Sequence, residues 1–131
     1  MGLIYLDACL VIYATENHPV WFKPVREALT SQPEQQFAIS PLVKMECLVK
    51  PIWQGDTSMQ WRYEAGMAQF VQLALNQAVF LQAAQLRARF NLKTPDALHL
   101  ACAQHHGCTA LWTNDDRLAQ AAHGLTQNIL H

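Results

Sequence analysis

The residues "LIYLDACLVIY" near the start of the chain are apolar or aromatic at ten of eleven positions, with Asp7 the exception. "GLIYL" predicts a short β-strand that ends at Asp7, and "CLVIYATE" a short helix after it. From Pro19, "PVWFKPVREALTSQ" carries Val25, Ala28 and Leu29 at helical spacing, with Pro24 in its first turn or kinking it. "QQFAIS" predicts a second strand. Ser40-Pro41 then predicts a helix start, Ser40 as N-cap and Pro41 at the first helical position, and "PLVKMECLVK" the helix, closed by Pro51.

"IWQGDTS" reads as a loop and "MQWRYEAGMAQFVQLAL" as a longer helix. "QAVFL" is a weak third strand before the helix "QAAQLRARF". Thr94-Pro95 opens the capped helix "PDALHLACAQHH", which ends at Gly107; "CTALWT" is a fourth strand. Asn114 to Ala122 reads as a short helix and "LTQNIL" as a last strand. Strands separated by helices predict parallel pairing, so the expected fold is a three-layer α/β/α sandwich. In such sheets ligands bind at the carboxyl ends of the strands, where strand order reverses.

Composition narrows the class. The chain's 131 residues suit one compact domain spanning 1–131. It is 51% hydrophobic and 15% charged, which excludes a disordered chain. A formal net charge of −1 gives no footprint for tight non-specific nucleic-acid binding, though a local groove remains compatible with a nuclease. No apolar run reaches the roughly 18 residues of a membrane span, and nothing after Met1-Gly2 resembles a signal peptide. Cys9, Cys47, Cys102 and Cys108 lie among apolar residues and read as reduced thiols of a cytoplasmic protein. "CAQHHGC" has the residue types of a zinc site, but not the paired spacing.

The carboxylates carry the chemistry. Asp7 ends the first strand. Glu46 has Leu42, Val43 and Val49 at i−4, i−3 and i+3, which points it toward the core side. Asp96 is the second residue of an almost wholly apolar helix, and Asp115 and Asp116 follow the strand "CTALWT". Each has a plainer explanation: dipole complement for Asp96 and Asp116, turn chemistry for Asn114-Asp115-Asp116, an i+4 pair with Lys50 for Glu46, a buried hydrogen-bonded acid for Asp7. Together they fall on one rim of the predicted sheet. Clustered carboxylates repel one another, and a hard divalent cation such as Mg2+ or Mn2+ relieves that repulsion. His99, three residues after Asp96, either reaches this pocket or lies on the helix face. Lys44, Lys50, Arg62 and Lys93 are candidate phosphate-facing cations, or ordinary surface charge. Trp53 and Trp61 stack on a base, line a protein interface or pack in the core.

The stretches "IYLDACLVIY", "SPLVKMECLV", "TPDALHLACA" and "LWTNDDRLA", in this order and spacing, resemble the PIN-domain ribonucleases, of the kind found as VapC-type toxins of bacterial toxin–antitoxin pairs. The resemblance implies a parallel sheet of about five strands with an acidic pocket at its carboxyl edge. It carries the four acids onto Asp7, Glu46, Asp96 and Asp115. Of these, Asp7 and Asp96 are expected as direct Mg2+ or Mn2+ ligands, with Glu46 and Asp115 completing the site directly or through metal-bound waters. Thr113 matches the hydroxyl residue two before the last acid, and Asp116 is a substitute or supplement for Asp115. Cys9 stands where Asn or Ser is commoner. RNA hydrolysis, a cognate antitoxin that inserts a basic side chain into the pocket, and a homodimer built on the helix from Met59 are further implications. The alternatives are a PIN-domain nuclease of RNA processing and a catalytically silent binding module of the same fold.

Overall fold

In the computed structural model, residues 2–31 and 34–129 are described, apart from the side chain of Gln120. The ends of two expected elements, Gln32 and Leu130, lie outside the described residues. Five parallel strands, β1 (Leu3–Leu6), β2 (Gln36–Ile39), β3 (Val71–Gln72), β4 (Ala110–Trp112) and β5 (Thr126–Gln127), pair in the order β3-β2-β1-β4-β5. The helices are α1 (Ala8–Thr15), α2 (Phe22–Thr30), α3 (Pro41–Trp53), α4 (Thr57–Met67), α5 (Gln77–Phe90), α6 (Thr94–His105) and α7 (Ala119–Ala122), the last preceded by a 3-10 turn over Asp116–Leu118. This is the expected three-layer α/β sandwich.

β1 is central. Tyr5 sits opposite Ala38 on one side and Leu111 on the other, and Leu6 opposite Trp112. Ile4, Tyr5 and Leu6 are all buried, as a strand covered on both faces requires. The chain moves outward through β2 and β3, then returns to the other flank of β1 as β4 and β5. Strand order therefore reverses between β1 and β4, and both strands deliver their carboxyl ends to the same crevice. Asp7 follows β1 directly, and its N–H donates to the Trp112 carbonyl at 3.0 Å, extending the ladder to the rim.

Several boundaries differ from the sequence reading. The third strand is Val71–Gln72, not "QAVFL", because Asn76 caps α5 by accepting from the Val79 N–H at 3.1 Å. From there Val79, Ala83 and Leu86 are buried at i, i+4 and i+7 while Phe80 and Leu81 are exposed, a helical rather than alternating pattern. The helix expected over Met59–Leu75 begins two residues earlier, capped by Asp56, and ends at Met67 so that the chain can enter β3. Pro51 does not close α3. It lies in the last turn, where only one amide bond is forfeited, and the Gln54 N–H still reaches the Lys50 carbonyl at 3.0 Å. Pro24 is the third residue of α2, within the first turn. Lys93 rather than Thr94 occupies the cap position of α6. "LTQNIL" contributes only Thr126–Gln127 to the sheet, and the stretch after Asn114 turns as a 3-10 helix before α7. Among the described residues, no helix is long and apolar enough to cross a membrane.

Candidate active site

The carboxylate of Asp7 is held at both oxygens. Oδ1 accepts the Ala8 N–H at 2.7 Å, which makes Asp7 the N-cap of α1, and Oδ2 accepts the Thr113 hydroxyl at 2.7 Å. Thr113 Oγ1 in turn accepts the Asp115 N–H at 3.0 Å. One buried hydroxyl thus ties the end of β1 to the turn after β4. Cys9 lies half-buried beside this link. Burial, reinforced by the Asp7 charge, pushes its thiol up to about 12. At neutral pH it is an uncharged thiol and not a nucleophile.

Glu46 projects from α3 toward α6. Leu42 and Val43 are buried as expected, but Val49 is exposed, so Glu46 stands at the edge of the apolar face rather than inside it. Its partner is His99: Nε2 lies 2.6 Å from Glu46 Oε1 and 3.8 Å from Asp7 Oδ1. Lys50, the alternative partner, instead faces Glu16 at 3.7 Å. His99 is 2% exposed, and its Nδ1 lies 2.7 Å from the Tyr5 hydroxyl, itself 2.7 Å from Ser40 Oγ. Ser40 holds the cap position of α3, yet its hydroxyl makes no capping bond; it is turned inward to Tyr5. Burial raises the Tyr5 phenol well above its ordinary range.

On the other side stand Asp96 and Asp115. Asp96 is the third residue of α6, in the first turn of the helix, where a negative charge complements the dipole. Its carboxyl is nevertheless raised, first by burial and then by the charge of Asp115. Asp115 is lowered, chiefly by hydrogen bonds from Arg117. The Arg117 guanidinium grips Asp115 through Nε at 2.9 and 3.1 Å and through a terminal nitrogen at 2.6 Å, and lies 4.0 Å from Asp96. Asp116, one residue on, is exposed, with the Asn128 amide 3.5 Å from its Oδ1.

The expected acids Asp7, Glu46, Asp96 and Asp115 therefore converge on the reversal crevice, with Thr113 beneath Asp7 and Asp116 outside. Two participants were not legible as such. His99 carries a visible signal, its i+3 relation to Asp96, but that signal does not distinguish pocket from helix face. Arg117 has no signal beyond following Asp115 by two. Among the candidate phosphate-facing residues, Arg62 is engaged with the Thr15 carbonyl at 2.8 Å and Lys93 lies close enough to Asp115 to favour its charged form. Trp53 and Trp61 are 84% and 72% exposed, which excludes core packing for both. With Met45, Val49 and Ile52 they give α3 and α4 an apolar outer surface next to the crevice. On the helix expected to carry a dimer surface, Tyr63 and Met67 are buried.

The donor chemistry fits a hard divalent cation. Asp7, Glu46 and His99 offer atoms within 4.8 Å of one another, and carboxylate oxygens supply the charge that Mg2+ or Mn2+ takes.

Comparison with known proteins agrees with this architecture. Residues 4–124 match the model of the PIN domain family. Against curated protein sequences the chain has no match. Among solved structures, it is similar to a chain of a toxin–antitoxin complex from Klebsiella pneumoniae, at 24% identity and a TM-score of 0.80, covering 96% of this chain and 97% of that one. FitAcB from Neisseria gonorrhoeae aligns at 18% identity and a TM-score of 0.79, covering 98% and 99% of the two chains. VapC20 of Mycobacterium tuberculosis, a sarcin-ricin-loop-cleaving toxin, aligns at 13% identity and a TM-score of 0.76, covering 90% and 94%.

Proposed function

The chain belongs to the PIN-domain family, and from that membership we propose that it is a ribonuclease that hydrolyses RNA phosphodiester bonds with a divalent cation, as the toxin of a toxin–antitoxin pair. The observation that carries the reading is the convergence of Asp7, Glu46, Asp96 and Asp115 on the crevice where strand order reverses. In that reading Asp7, Asp96 and Glu46 hold Mg2+ or Mn2+, and Asp115 completes the site. A bound cation would supply Lewis acidity at the phosphoryl oxygens and a water of lowered pKa.

The chain's own residues do the rest. Asp7 is immobilised by Ala8 and Thr113, and each carboxylate oxygen keeps further acceptor capacity beyond those bonds. Glu46 is held by His99. Arg117 neutralises Asp115 while its side chain stays 66% exposed, so an entering phosphate can share its charge. Exposed Trp53 and Trp61 offer stacking faces for unpaired bases.

The same apolar outer surface of α3 and α4 supports a protein partner. Two of the similar structures are a toxin–antitoxin complex from Klebsiella pneumoniae and VapBC2 from Rickettsia felis bound to a DNA fragment from their promoter. A cognate antitoxin and a homodimer are part of the proposal, and a cytoplasmic setting follows from it. The test is RNA cleavage by the purified chain with Mg2+, Mn2+ or EDTA, beside Asp7→Asn. Cleavage that depends on the cation and is lost in the variant supports the reading; equal cleavage by both proteins overturns it. Growth arrest on expression of the chain alone, relieved by an antitoxin encoded beside it, tests the toxin assignment.

A further inference from the structure

The hydrogen-bonded chain Ser40–Tyr5–His99–Glu46 extends inward beyond the His99–Glu46 contact used above. Its links are 2.7, 2.7 and 2.6 Å. Ser40 is 0%, Tyr5 0% and His99 2% exposed, so no solvent competes for these groups. His99 also lies close to Asp7, and with Asp7 and Glu46 it forms a cluster with the spacing of a three-ligand cation site. The geometry distinguishes two roles for it.

A nitrogen and a carboxylate oxygen 2.6 Å apart require a proton between them, because two lone pairs at that distance repel. Whichever atom carries the proton, Nε2 is engaged with Glu46 in this geometry, and it could ligate a cation only by giving up that bond. The other links are consistent with this. With Nε2–H directed at Glu46, the neutral imidazole accepts at Nδ1; the Tyr5 hydroxyl donates to Nδ1, and the Ser40 hydroxyl donates to Tyr5. Each bond then has one donor and one acceptor. Burial keeps the Tyr5 phenol protonated, so it has a hydrogen to give.

We infer that His99 is a positioning residue: anchored by Tyr5 and Ser40, it donates Nε2–H to Glu46 and fixes that carboxylate for an all-oxygen cation site, without ligating the cation itself. The inference rests on the cation-dependent reading above and deepens it. It also accounts for the inward turn of Ser40, which gives up a capping bond to its own helix.

The experiment uses the full chain and Mn2+ as probe, with binding measured by calorimetry at fixed pH. His99→Asn keeps an amide near Nδ1 for Tyr5 but has nothing to reach Glu46. His99→Gln places an amide N–H near the position of Nε2. Loss of a residue that orients a ligand costs about 10–100-fold in metal affinity, so His99→Asn is expected to weaken Mn2+ binding by about that factor. His99→Gln should stay within about threefold of wild type, because it restores the donor. Pulsed electron paramagnetic resonance of wild-type Mn2+ complex should show no coupling to a histidine nitrogen. In Mg2+-saturated protein, nitrogen NMR should still find Nε2 of His99 engaged with a proton, a readout that needs no variant to fold.

Unchanged Mn2+ affinity in His99→Asn overturns the inference and leaves the cation reading intact. Equal losses in both variants, with nitrogen coupling to bound Mn2+, make His99 a ligand and overturn it also. Wild-type affinity in Asp7→Asn removes the cation reading itself, and the inference with it.

Discussion

The two halves of the acidic crevice restrain their carboxylates by opposite means. Around Glu46 the restraint is a hydrogen-bond chain of buried side chains, His99, Tyr5 and Ser40, anchored on the central strand by Tyr5. Around Asp115 it is a full positive charge, Arg117, with 66% of its side chain in solvent. The magnitudes separate the two. An exposed ion pair contributes about 0–1 kcal/mol and weakens with salt. A buried polar group that loses its partner costs about 1–3 kcal/mol, and salt does not reach it. The first half is therefore a fixed scaffold and the second an adjustable one, and Asp7 joins them through Thr113 and its proximity to His99.

That contrast makes a ranked set of expectations. Asp7→Asn strikes both halves and should lower RNA cleavage beyond the roughly 100-fold that loss of an orienting residue costs; a cleavage assay with matched protein amounts measures it. Next, Asp115→Asn should lower activity by at least about 10-fold while Asp116→Asn stays within about threefold, since only Asp115 faces the crevice. The reverse order would assign the fourth acidic position to Asp116.

Stability effects are smaller. Asp96 has a raised carboxyl pKa, from burial and from Asp115, so its contribution favours folding at low pH and is lost as the pH rises through its folded value. Asp115, lowered by Arg117, behaves oppositely: its contribution is present above the unfolded value and is lost as the pH falls through the folded one. Asp96→Asn removes a charge that the folded state disfavours at neutral pH, at the expense of a dipole interaction of about 0.3–1 kcal/mol. In EDTA at neutral pH the variant should melt at or above wild type. The gap should close as the pH falls through the raised value of Asp96, where the carboxyl is itself protonated. Mn2+ should raise the wild-type melting temperature and the variant's much less. A variant that melts lower at neutral pH and responds fully to Mn2+ would make Asp96 a helix cap only.

The smallest effect belongs to the exposed half. Arg117→Gln in EDTA should change stability by less than about 1 kcal/mol, and the difference should fade in high salt. The matching measurement on His99→Gln should show no such salt dependence. Equal salt responses would erase the distinction between the halves.

The difference between the halves also explains what could be read from the sequence. Asp7, Glu46 and Asp96 are legible because acids among apolar residues contradict the pattern around them, and Asp115 because it follows directly on the strand "CTALWT". The strands β1 and β4 stood out for the converse reason, as unbroken apolar runs. Arg117 follows the surface pattern, so nothing marked it. His99 was visible but undecided, since its partners come from β1 and α3, brought near only by the fold. The third strand was missed because two residues carry no periodicity, while "QAVFL" has the composition of a strand and its helical register shows only against a core. Pro51 misled because its restriction acts on the residues before it, and here the helix had only one turn left to make.

The bond between Thr113 and Asp7 spans 106 positions of the chain. Pairing so distant in sequence has to close a long loop, whose entropy the contact must offset. During synthesis, the strand that carries Asp7 emerges well before β4 and the turn that holds Asp115, so a nascent polypeptide that has not yet reached Ala110 lacks the crevice. Emergence of β4 and the turn after it is the step at which the acids can first meet.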